Sequence, residues 1–112
     1  MNDEEALERL ERIRAEILDL QEVRDQATAV VELDQSRNGR LSRVDSLQRQ
    51  ALAQHGRALA EARLRSIDAA IARCRAGTYG LCIDCEEEIG AGRLEVDPAA
   101  ALCIACAESR DG

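Results

Sequence analysis

The sequence predicts a mainly α protein, a long antiparallel helical hairpin of coiled-coil type followed by a small finger built on four cysteines. Three observations predict it. Two long stretches with apolar residues at helical spacing lie on either side of an Asn38-Gly39 dipeptide. Hydrophobic residues reach 46% but aromatic residues only 1%, Tyr79 alone, which suits slender helices of Ala, Leu, Ile and Val better than a thick core. Four of the five cysteines fall after Gly77, as two Cys-x-x-Cys pairs.

The first helix is expected from about Asp3 to Leu33, a stretch without Gly or Pro. Leu10, Ile13, Ile17, Leu20, Ala27 and Val31 keep the alternating three-and-four step of a coiled-coil seam, with Arg24 interrupting it. From Gln35 to Leu41 the pattern is lost, and Asn38-Gly39 favours the positive φ of a chain reversal. Ser42 then stands as an N-cap with Asp45 three residues on, opening a second helix from about Arg43 to Ala76. Two stripes run along it: Val44, Ala51, His55, Ala58 and Ala62, whose small residues would let the helices approach, and Leu52, Leu59, Ile67, Ile71 and Cys74. His55 is expected half-buried in the seam, Cys74 as a small packing residue at the hairpin's base, and Gly77 as the residue that ends the helix. The hairpin therefore occupies 1–77, with its tip near 35–42, and the finger 78–112.

In the finger the pattern is Cys82-x2-Cys85, 17 residues, then Cys103-x2-Cys106. Two intervening residues let a tight turn aim both sulfurs at one point, and two such turns complete a tetrahedron, the arrangement of a structural zinc ion. Four protein thiolates leave no position for water, so catalytic zinc is not expected. Nor is a thioredoxin-like redox role, for want of a βαβ context. So short a segment cannot hold together by burial alone, and one zinc per chain is expected to fold it.

Charge and cysteine usage bound the setting. A formal net charge of -7 lacks the clustered Lys and Arg that grip phosphates, which argues against direct sequence-specific DNA binding and for a basic protein surface as partner. The charged residues from Met1 to Arg14 predict no secretory signal, and no stretch is apolar enough for a membrane. An odd number of cysteines then reads as reduced thiols and metal in a cytoplasmic protein.

Tyr79-Gly80-Leu81-Cys82-Ile83-Asp84-Cys85, Glu87-Glu88-Ile89-Gly90, Arg93-Leu94-Glu95, Pro98 and Leu102-Cys103-Ile104-Ala105-Cys106, following a long helical hairpin, resemble the DksA/TraR family of bacterial transcription regulators. The likeness is close over about residues 78–106, and one of length and placement over the hairpin. It implies a non-enzymatic protein whose finger and hairpin bind RNA polymerase. The hairpin would enter the secondary channel, through which nucleotides reach the active site, and alter promoter-complex stability. The alternative is a zinc-finger coiled-coil adaptor for another protein.

Three departures qualify the resemblance. Glu86 stands where the family commonly has a glycine after the second cysteine, at a place that favours positive φ. Larger members continue into a basic helix where this sequence ends at Gly112, so guanosine tetraphosphate is a doubtful ligand. The hairpin tip lacks the Asp-x-x-Asp-x-Ala of prominent members from either Asp34 or Asp45, and carries Arg37, Arg40 and Arg43 instead. These five residues are the candidate partner-binding tip.

Overall fold

The structure, a computed structural model, describes residues 2–38 and 43–111, with side chains over 2–27 and 47–110. Four helices follow in order: α1 (Asp3–Asn38), α2 (Arg43–Ala76), α3 (Ala91–Val96) and α4 (Ile104–Asp111). No strand forms among the described residues beyond one isolated antiparallel bridge, Leu81 to Glu88. The fold is the expected one, mainly helical, with α1 and α2 paired as a hairpin and the four cysteines gathered together in the segment that follows it in sequence.

Each helix end has a local cause. Asn2 caps α1: its side-chain oxygen accepts the Glu5 amide at 2.8 Å, and Asp3, Glu4 and Glu5 put negative charge where the helix dipole is positive. The helix runs to Asn38, five residues beyond the expected Leu33, because losing an apolar pattern does not stop a helix and no breaker occurs before Gly39. Helix α2 keeps its expected bounds and ends in a Schellman motif. Gly77 turns to φ +77°, the Thr78 amide reaches the Arg73 carbonyl at 2.9 Å, and the Gly77 amide reaches Cys74 at 3.3 Å. Ser42 and the Gly39 reversal lie outside the described residues.

Two compact units make up the described chain. In the first, residues 1–14 and 64–112, Ala6 and Leu10 of α1 pack with Ile67, Ala70, Ile71 and Cys74 of α2, all buried. Arg14 pairs with Asp68 at 2.8 Å and Glu11 with Arg75 at 3.6 Å, so numbers rise on one helix as they fall on the other. In the second, residues 15–63, Asp25 pairs with Arg57 at 3.0 Å in the same sense, and no described residue is buried.

The seam differs from the expected one over residues 15–63. On α2 the partly covered residues are Ala53, Gly56, Ala60 and Leu64, continuing the face that Ile67, Ile71 and Cys74 set. Leu52 and Leu59 remain 71% and 60% exposed, because their fifteen- and eight-residue steps to Ile67 turn them about 60° and about 80° off its direction. Ala51, Ala58, Ala62 and His55 are exposed too, which corrects the half-buried placement of the histidine. On α1 the seam passes from Ile17 to Gln21, leaving Leu20 and Ala27 in solvent.

Candidate metal centre

The first cysteine pair lies in a tight loop. Its neck is the Leu81–Glu88 bridge, tied by the Ile89 amide to the Gly80 carbonyl and the Cys82 amide to the Glu87 carbonyl, both at 2.8 Å. Inside the neck the Glu86 amide returns to the Cys82 carbonyl at 3.0 Å, which requires Glu86 to adopt φ +64°. The glycine-favouring conformation anticipated after the second cysteine is therefore present, with glutamate bearing it.

A helix start presents the second pair. Cys103 immediately precedes α4, and its carbonyl accepts the Ala107 amide at 2.9 Å. Its sulfur accepts the Cys106 amide at 3.4 Å, the role a serine oxygen plays at an N-cap.

These two devices bring the Sγ atoms of Cys82, Cys85, Cys103 and Cys106 within 4.8 Å of one another. Cys85 and Cys103 stand 3.7 Å apart, sulfur to sulfur. Zinc–sulfur bonds of about 2.3 Å in a tetrahedron give sulfur–sulfur edges of roughly 3.8 Å, so donor type, number and spacing fit one zinc ion. Backbone amides of Cys85 and Cys103 draw the Cys82 thiol down to about 6, while hydrogen bonds from Cys103 and then Cys82 and Cys85 push the Cys106 thiol up. Four thiols this close resist ionising together unless a cation shares their charge. The chain takes one structural zinc ion.

Around the centre, Cys82 packs with Ile89, Leu94 and Ala100 in a core too small to fold the finger unaided. Polar ties supplement it. Arg110 on α4 forms a two-pronged ion pair with Asp84, between the first two cysteines, at 2.7 and 3.0 Å. The Arg93 Nε donates to the Leu102 carbonyl, and the Tyr79 hydroxyl to the Pro98 carbonyl, each at 2.8 Å. From the helices, Arg9 reaches the Glu95 carbonyl at 2.6 Å and Leu94 at 3.4 Å, while Arg73 reaches Ala99 and Ala100 at 3.4 Å. Sequence reasoning missed the Asp84–Arg110 pair and both arginine ties, since nothing in spacing marks contacts between distant positions. Cys74 is buried apart from the four, and burial followed by the charge of Asp3 pushes its thiol up, as fits a packing residue. At the tip, the side chains of Asp34, Arg37, Arg43 and Asp45, and the whole of Arg40, lie outside the described residues.

Residues 77–112 match the model of the prokaryotic dksA/traR C4-type zinc finger. An uncharacterized protein of Aquifex aeolicus (strain VF5) is 47% identical over 47 residues, 42% of this chain, which thereby spans 32% of that relative's length. The structure of transcription factor DksA2 from Pseudomonas aeruginosa superposes with a TM-score of 0.73 at 28% identity, over 97% of this chain and 82% of that one. That of an RNA polymerase binding protein and transcriptional regulator, Dks, from Chlamydia trachomatis L2 (LGV434) gives 0.45 at 19% identity, over 93% and 88%. Residues 77–112 are thus a finger of the dksA/traR C4 type, closed by four converging sulfurs, in a chain whose fold is similar to that of DksA2 over 97% of its length.

Proposed function

We propose that this protein binds RNA polymerase and modulates transcription, with no enzymatic activity of its own. The observation that carries the reading is the likeness over 97% of the chain to a transcription factor, joined to the family's finger at residues 77–112. On this reading residues 1–77 act as the hairpin that enters the secondary channel and alters promoter-complex stability, and 78–112 as the finger that fixes its base. Cys82, Cys85, Cys103 and Cys106 are the zinc ligands, and the ion's contribution is to hold the two loops at fixed distance. A net charge of -7 favours a protein surface over direct, sequence-specific DNA contact, and the compartment is the cytoplasm. Among the described residues no helix is long and apolar enough to cross a membrane.

Arg37 and Arg40, with Arg43 near them, are proposed to contact acidic groups or phosphates of the partner, with Asp34 and Asp45 secondary. Guanosine tetraphosphate is not part of this reading. The test is co-elution of the zinc-loaded protein with polymerase from the same organism, alongside promoter-complex lifetimes in transcription assays. Arg37→Ala with Arg40→Ala should keep helicity and zinc content and weaken the effect several-fold. Failure to co-elute with polymerase would leave the adaptor reading in its place.

A further inference from the structure

The finger carries acidic residues far in excess of basic ones, and both of its cations are engaged internally. Arg93 donates to the Leu102 carbonyl, and Arg110 pairs with Asp84. Glu86, Glu87, Glu88 and Glu95 are all exposed. On the side bearing the bridge, a cleft of about 570 Å³ opens between Tyr79, Leu81 and Leu94, with Glu88 and Glu95 among its lining residues. Leu81 is 38% exposed there, and Gly80, Gly90 and Ala91 contribute no side chain larger than a methyl group. Arg9 also lines it, but its guanidinium is held by the Leu94 and Glu95 carbonyls and forms no ion pair with Glu88 or Glu95. The cleft thus has an apolar lining beside two carboxylates without ion-pair partners and one cation tied to backbone, a net negative edge.

We propose that this cleft docks a segment of a partner protein bearing Lys or Arg beside an aliphatic side chain. An alkyl stem lies along Leu81, Leu94 and Tyr79 while its cationic end meets Glu88 and Glu95, an arrangement that suits long basic side chains. Which protein supplies the segment rests on the polymerase reading above; the chemistry of the cleft does not.

The experiment has two arms, both on the zinc-loaded full chain. In the first, polymerase affinity is compared for wild type, for Glu88→Lys with Glu95→Lys, and for Glu87→Lys with Glu108→Lys, an equal charge change outside the cleft. The cleft pair should weaken binding about ten-fold and the control pair by less than about two-fold, since reversed charge facing a cation costs far more than distant charge. In the second arm a short synthetic peptide of alternating lysine and leucine is titrated into labelled protein. Amide shifts should gather at Leu81, Glu88, Leu94 and Glu95 and fade with salt. Equal polymerase binding by all three proteins overturns the proposal and leaves the polymerase reading standing. If wild type binds no polymerase, that reading falls, and the peptide decides: shifts confined to the cleft support docking, and scattered or absent shifts overturn it.

Discussion

Replacing Glu86 with glycine should tighten the metal site, by an amount that follows from one backbone angle. At φ +64° a residue with a Cβ meets a steric penalty of about 1–2 kcal/mol that glycine escapes. Glycine gives back roughly 0.5–1 kcal/mol, because its unfolded chain has more freedom to lose. The balance is about 0.5–1 kcal/mol in favour of the folded loop. Metal binding and finger folding are one equilibrium, so this becomes a two- to five-fold gain in zinc affinity, roughly. Competition against a chromophoric chelator at fixed pH measures it, with far-ultraviolet dichroism to verify that the helices are unchanged. Glu86→Gly also removes a negative charge beside four thiolates. Glu86→Gln removes that charge while keeping the strained angle, so it should recover only a minor part of the gain. Were the two variants equal, the strain account would be refuted and charge would own the effect; a glycine variant no tighter than wild type would refute both.

Further expectations follow from burial and contacts. Leu10→Ala, at a fully buried position, should cost about 2–4 kcal/mol in urea unfolding, whereas Leu52→Ala, 71% exposed, should stay within about 0.5. Gly56→Ala should stabilise α2 by about 1 kcal/mol, since a Cβ there meets nothing within 4 Å; a loss of stability in thermal unfolding would contradict this. Arg110→Ala opens a solvent-exposed ion pair worth about 0.3–1 kcal/mol, so chelator-driven zinc release should quicken by no more than about five-fold. Stripping the metal should unfold the finger while much of the helical dichroism survives. Affinity should fall as pH is lowered, because thiols must lose their protons to bind zinc.

The parts of this fold legible in the sequence were those fixed by short-range chemistry. Cysteine spacing located the metal centre and Gly77 marked the end of α2, while the positive φ after Cys85 was expected only from the family resemblance. The helix rotation was harder to read. Alanine and leucine populate more than one stripe of α2, and an 18-residue span from Leu52 to Ala69 holds enough of both to support rival seams. What selects among them is the base, where Ile67, Ala70, Ile71 and Cys74 bury together and set the face that Ala60, Gly56 and Ala53 then continue. That choice depends on contacts with Ala6 and Leu10, more than fifty residues away in the chain, roughly, and such separations leave no local periodic trace. The Asn2 cap went unnamed although the expected start at Asp3 was right, because attention stayed on the seam and not on the residue before the helix.

Among the described residues every buried side chain lies in residues 1–14 and 64–112, which bears on how such a protein can change over generations. Substitutions at the described side chains of residues 15–63 disturb no buried position, so selection by folding is weaker there. The base and finger have no such latitude, being held by a packed cluster, a metal and several arginine ties at once. Divergence should therefore accumulate in the second unit, with whole heptads gained or lost in register, while the first unit stays as it is.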